Sequence, residues 1–315
     1  MIQVFDNSVY EWGMNLIISV QKMENAFLNI LMETISFFSD PIFYLLFIIV
    51  LFWCIDEKKG FKVSMIVLFS ASLNSSIKNF LQVPRPYVIN PDVAIGNTHG
   101  FSTPSGHSQG SASFYPYIAT LLPRKNKNKG RELWGRILFA LAIPFVIGFS
   151  RIYLGVHYPS DVLLGWTIGF LISTGAILFF PVIEKYISPL RASFKFLLLA
   201  IIALIFNYIG PKDTSMAGAF LGFGGGYILL LEKGGFNANA GLFWQKLLRI
   251  SSGIIILAIV YYVLKIALPD ENNANYHLFR FLRYAAIGFF GSFVLPKLFI
   301  LMHIALPRKK EETNE

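Results

Sequence analysis

Apolar and polar positions along this chain are segregated on the scale of whole helices. Long, mainly apolar runs at Val162–Ile183, Ile250–Leu268 and Tyr284–Leu306 reach the roughly 20 residues that cross a bilayer. Shorter runs at Ile42–Ile55, Ile137–Phe149 and Phe194–Ile209 alternate with brief charged loops. The pattern predicts about nine spanning helices, at 40–55, 62–81, 105–122, 136–152, 161–183, 194–209, 214–231, 247–268 and 280–306. Several are short for a bilayer, so local thinning or snorkelling of flanking side chains is expected.

Before residue 40 the pattern changes. Val9–Asp40 mixes apolar residues with Glu11, Gln21, Lys22, Glu24, Asn25 and Glu33, while Leu28, Leu31, Met32 and Ile35 recur at helical spacing. This predicts one or two amphipathic helices at the membrane interface; a spanning helix broken near Lys22 is the alternative. The expected fold is therefore all-α, a polytopic membrane helical bundle with N-terminal interfacial helices. Three parts are expected: an amphipathic segment at 1–39, a core at 40–185 with every polar motif, and an extension at 186–315. The extension is read as extra packing or a homo-oligomer contact, or as a lipid entry route.

Composition agrees with a bilayer, at 55% hydrophobic and only 14% charged residues, against about 25% charged in soluble domains. A net charge of +9 raises nucleic acid as a partner. However, the cations sit in short loops between apolar runs and form no binding face, which argues against that partner. One set of alternate loops holds Lys58, Lys59, Lys62, the run Arg124–Arg131, Arg136, Lys185, Arg191, Lys195, Lys233, Lys246 and Arg249, and the tail Arg308–Lys310 shares that side. The other set holds Arg85, Lys212 and, at the start of the last helix, Arg280 and Arg283. The positive-inside rule makes the first set cytoplasmic. Loops 82–104 and 153–160 then face outward. The single cysteine, Cys54, permits no internal disulfide. No basic leader with a cleavage site opens the chain, so no cleaved signal peptide is expected.

Against this background three polar segments are conspicuous: Lys78 with Pro84-Arg85-Pro86, then Pro104-Ser105-Gly106-His107, then Ser150-Arg151 followed by His157 and Asp161. Lys78 lies late in an apolar helix, where an unpaired charge costs about 2.5 kcal/mol or more. Snorkelling to the interface is its structural alternative. Arg85, on a stiff proline exit, and Arg151 offer planar forks suited to phosphate. Pro104 and Ser105 suit a helix start, whose free amides attract anions, and Gly106 permits close backbone approach. Asp161, four residues after His157, can keep one imidazole nitrogen protonated and leave the other free to attack phosphorus; a favourable helix-start charge is its alternative. Three cations beside two histidines and an aspartate would place a dication badly, so no metal is expected.

This pattern resembles the signature of the type 2 phosphatidic acid phosphatase superfamily, which also includes vanadium haloperoxidases and acid phosphatases. Every fixed position is present at its spacing, across roughly residues 40–183. The resemblance implies a metal-independent, cofactor-free phosphatase acting through a phosphohistidine. His157 would be the nucleophile, Asp161 its orienting carboxylate and His107 the acid for the leaving group. Lys78, Arg85, Arg151, Ser105 and Gly106 would hold the phosphoryl oxygens. Membrane embedding makes the expected substrate a lipid phosphate or diphosphate, hydrolysed at the extracytoplasmic face. A lipid phosphotransferase, or a transporter or scaffold retaining the signature, is the alternative; a haloperoxidase is expected to be soluble.

Other features read as structural. His99, five residues before the Pro-Ser-Gly-His turn, reads as a loop histidine, with contact to a substrate headgroup as the alternative; His277 and His303 look incidental. Gly218, Gly222 and Gly226 recur every four residues, which fits close helix packing. Trp12, Tyr87 and Trp244 are expected as interface anchors.

Overall fold

Every long apolar run becomes a helix. The computed structural model describes residues 6–96, 98–123 and 129–308. Arg124, Lys125, Lys127, Lys309 and Lys310 of the expected cytoplasmic charge set, together with Asn97, lie outside the described residues. Helix α1 is Asn7–Gln21, α2 Ala26–Phe37, α3 Pro41–Val50 and α4 Glu57–Leu81. A short α5, Pro86–Ile89, precedes α6, Gly106–Leu121; α7 is Lys129–Tyr153 and α8 Pro159–Tyr186. The remainder are α9 Ala192–Ile209, α10 Ser215–Glu232, α11 Phe243–Ala267, α12 Tyr276–Phe289 and α13 Leu295–Leu301. One π-helical turn, Leu51–Ile55, continues α3, and another, Phe290–Val294, joins α12 to α13. Among the described residues the only β-pairing is an isolated bridge between Asn237 and Leu306.

Among the described residues seven helices are long and apolar enough to cross a bilayer, with an eighth if α2 and α3, bent by 46°, form one broken span, so length and composition register seven or eight of the nine expected spans. Each of the nine predicted segments is helical, but α6 has only 16 residues, many of them serine, glycine or glutamine. Most of its length is buried against other helices, so it does not need the apolar coat that sequence patterning looks for.

The chain forms two compact units, one from Met1–Tyr44 and Leu73–Pro181, the other from Leu45–Ser72 and Val182–Glu315. In the first, α6 packs along α7 and against α8. A Cβ at Gly165 would lie 2.7 Å from the Ser105 carbonyl oxygen, and one at Gly169 2.4 Å from that of Gln109. The backbones of α6 and α8 therefore touch where larger residues would force them apart. The one or two helices expected before residue 40 are two, α1 and α2, and both belong to this unit. Gln21 of α1 donates to the carbonyls of Val93 (3.0 Å) and Tyr153 (2.8 Å), and Ser36 of α2 is buried against Ser150 (2.8 Å).

In the second unit the glycine series does the packing expected of it. Cβ atoms at Gly218 and Gly222 of α10 would fall 2.3 and 1.9 Å from the carbonyls of Phe281 and Ala285 on α12. Its core gathers Phe52, Trp53, Phe223, Leu230, Phe236 and Phe299.

Candidate active site

The end of α4, the start of α6, the end of α7 and the start of α8 meet in the first unit, and they bring all three polar segments together. Lys78, in the last turn of α4, donates to the carbonyls of Phe101 (2.6 Å) and Ser102 (3.1 Å). Arg85 follows on an extended backbone at the cap of α5. Its guanidinium donates to the carbonyls of Gly100 (2.8 Å), His99 (2.9 Å) and Val156 (3.0 Å), and lies 3.2 Å from Nε2 of His157. His99 thus serves through its backbone while its side chain is exposed.

Ser105 caps α6 as the sequence suggests, accepting from the Ser108 amide at 3.4 Å, and its own amide donates to the Asp161 carbonyl at 3.0 Å. A Cβ at Gly106 would come within 3.2 Å of the Asn74 amide oxygen, so only glycine sits there without displacing its neighbour. His107 is partly buried in the first turn, and its carbonyl accepts from Ser39 at 2.8 Å.

Arg151 closes α7 with its side chain almost wholly buried. One terminal nitrogen donates to Ser36 at 2.9 Å, while its buried Nε has no hydrogen-bond partner among the described residues. An orphaned guanidinium donor in a buried site is costly unless a ligand completes it. Gly155, at φ +69°, then turns the chain; a Cβ here would lie 1.7 Å from the Val93 carbonyl oxygen. This turn delivers His157, only 2% exposed, into the cluster just before α8 begins.

Asp161 lies in the first turn of α8 and is fully buried. Its carboxylate accepts from Ser102 Oγ (2.5 Å), Thr103 Oγ1 (2.5 Å) and the Tyr158 amide (2.9 Å). Nδ1 of His157 is 3.6 Å from Asp161 Oδ2, beyond direct hydrogen-bond reach, and 3.3 Å from Ser102 Oγ. Ser102, Thr103 and Ser36 therefore belong to the cluster although sequence reasoning passed over them. The first two immediately precede the Pro-Ser-Gly-His turn, which was an available signal. Ser36 lies 115 residues from Arg151 and carried none.

The proton on His157 can be placed from these contacts. A guanidinium only donates, so Nε2 facing Arg85 carries the lone pair and Nδ1 the proton in the neutral ring. Burial, reinforced by the charges of Lys78, Arg85 and Arg151, pushes the His157 pKa well below its ordinary 6.5. A neutral imidazole with an unprotonated Nε2, ringed by cations, has the chemistry of a nucleophile placed where an anion could bind.

The profile described as "PAP2 superfamily" matches residues 59–185, and that of the "PAP2 superfamily phosphatase, transmembrane extension" matches residues 214–307. Phosphatidylglycerophosphatase B of Bacillus subtilis is 34% identical over 34% of this chain and 52% of its own length. Human dolichyldiphosphatase 1 is 35% identical over 38% of this chain and 50% of its own. Rat sphingosine-1-phosphate phosphatase 1 is 24% identical over 84% of this chain and 70% of its own. The chain thus spans about half the length of the two more identical relatives. The two matched stretches, joined to a cluster that holds every signature residue, make this chain a multi-pass integral membrane protein belonging to the PAP2 superfamily, in the form with a transmembrane extension.

Proposed function

We propose that this protein hydrolyses a phosphomonoester or diphosphate of a lipid at the extracytoplasmic face, through a phosphohistidine on His157. The observation that carries the proposal is the disposition of that ring: Nε2 held by donor-only Arg85, Nδ1 on a hydroxyl, and a buried Arg151 with a vacant donor. Nε2 attacks phosphorus as the bond to the leaving oxygen breaks, and His107 gives that oxygen its proton. Water then hydrolyses the phosphohistidine. Lys78, Arg85, Arg151 and the α6 start at Ser105–Gly106 stabilise the phosphoryl oxygens, where charge concentrates in the transition state. Asp161 orients His157. Cations in these places do the work that a metal would do, so the reaction needs none.

A lipid substrate is favoured on two counts. The relatives' names carry sphingosine 1-phosphate, phosphatidylglycerophosphate and dolichyl diphosphate, all lipid phosphates or diphosphates. In addition, an apolar groove of about 510 Å³ runs between α2, α3, α6 and α7, lined by residues such as Ile35, Phe43, Tyr115, Val146 and Ile147. Ile35 adjoins Ser36, and Ile147 lies about one helical turn before Arg151. A hydrocarbon chain in this groove would leave its phosphate beside Arg151. The outward face follows from the loop charges, with the C-terminus cytoplasmic.

The test is phosphate release by the purified protein from a panel of lipid phosphates and diphosphates, without an acceptor alcohol and with a strong chelator present. Release that survives the chelator and disappears in His157→Ala is expected. Release that needs a divalent ion, or that persists in the variant, would overturn the mechanism.

A further inference from the structure

We propose that Ser102 is the positioning residue through which the Asp161 carboxylate acts on His157, an inference that rests on the phosphohistidine reading above. The direct pair is too long at 3.6 Å, and the hydroxyl of Ser102 lies in contact with both partners, 2.5 Å from Oδ2 of Asp161 and 3.3 Å from Nδ1 of His157. A serine hydroxyl has one proton. Asp161 takes it at the shorter contact, so a lone pair of Ser102 faces Nδ1. Arg85 fixes the proton of the neutral ring on Nδ1 by donating to Nε2. The relay therefore runs Nδ1–H to Oγ, and Oγ–H to the carboxylate, with every proton assigned.

The carboxylate is itself held on its other flanks by Thr103 Oγ1 and the Tyr158 amide. It cannot close on His157 without breaking those contacts. When Nε2 forms its bond to phosphorus and the leaving oxygen departs with its electron pair, the ring becomes cationic. A hydroxyl polarised by a buried carboxylate stabilises that charge at Nδ1, and the effect is strong where water is excluded. Tethering the loop is not what Ser102 Oγ is needed for. The backbone amides of Ser102 and Ser105 already bond to the carbonyls of Val83 (2.8 Å) and Asp161 (3.0 Å), and Lys78 holds the carbonyl of Ser102.

The experiment is a double-mutant cycle on the full-length protein in detergent or vesicles, reading phosphate release from a lipid phosphate. Ser102→Ala is expected to lower kcat by about 10²-fold with KM little changed, and Ser102→Thr to restore most of it. In an Asp161→Asn background the same Ser102→Ala change should cost little more, because the two groups act in series. If the alanine variant does not fold, Ser102→Cys, similar in size with a weaker donor, is expected to lower kcat in the same way. Wild-type kcat in Ser102→Ala, or losses that multiply in the double variant, would overturn the relay while leaving the phosphatase intact. Absence of phosphate release by the unaltered protein would instead overturn the reading beneath it.

Discussion

Arg151 in the first unit and Arg249 in the second are both buried, and among the described residues neither lies within 4 Å of a carboxylate oxygen. Arg249 is fully buried and donates to the carbonyls of Ile304 (2.8 Å), Trp53 (2.9 Å) and Ala238 (2.8 Å), and to that of Ala240. These bonds tie the start of α11 to the ends of neighbouring segments. Arg151 instead bonds Ser36 and keeps a buried Nε without a partner. Burial of a cation therefore does not mark a site. An unspent donor counts only together with the cluster around it, since Arg283 in the second unit also keeps a buried Nε without a partner among the described residues, whereas Arg151 adds its charge to those of Lys78 and Arg85 around His157.

Three outcomes would sharpen or break this contrast. Arg151→Gln is expected to reduce phosphate release by about 10²- to 10³-fold while the protein still elutes and melts like the original. Arg249→Gln should do the reverse, costing about 1–3 kcal/mol for each carbonyl left unpaired and lowering the thermal midpoint, with kcat per folded molecule kept. An equal loss of activity in the two variants would erase the distinction. The smallest effect concerns pH. His157 must be neutral to attack, and its lowered pKa puts the acid limb of kcat/KM below pH 6.5. Arg151 is one of the charges that hold it there, so residual activity of Arg151→Gln should show a limb at higher pH, and Arg249→Gln should not move it.

Much of the candidate site was legible because the residues proposed to bind and attack phosphate are chemically unusual in an apolar chain. Lys78, Arg85, His107, Arg151, His157 and Asp161 stand out against their surroundings, and the alternation of helices predicts that they share one end of the bundle. The hydroxyls were not legible in the same way. Ser102 and Thr103 look like ordinary turn residues until the fold lays them against Asp161, and Ser36 lies in an amphipathic stretch whose pattern suggested a membrane surface. The α10 glycines were readable because close packing leaves a period of four. Of the nine expected spans, α6 is the one that length and apolarity do not register, because burial by protein on most sides removes the apolar pattern that lipid contact would impose.

The most direct measurement is trapping of the intermediate. The protein is mixed with a lipid phosphate labelled in its phosphoryl group, quenched in alkali to preserve an acid-labile phosphoramidate, and mapped by peptide mass. Label on His157, absent from His157→Ala and undiminished by a chelator, is the predicted result. Turnover without label on any histidine, or label on His107 with His157 unmodified, would contradict the account.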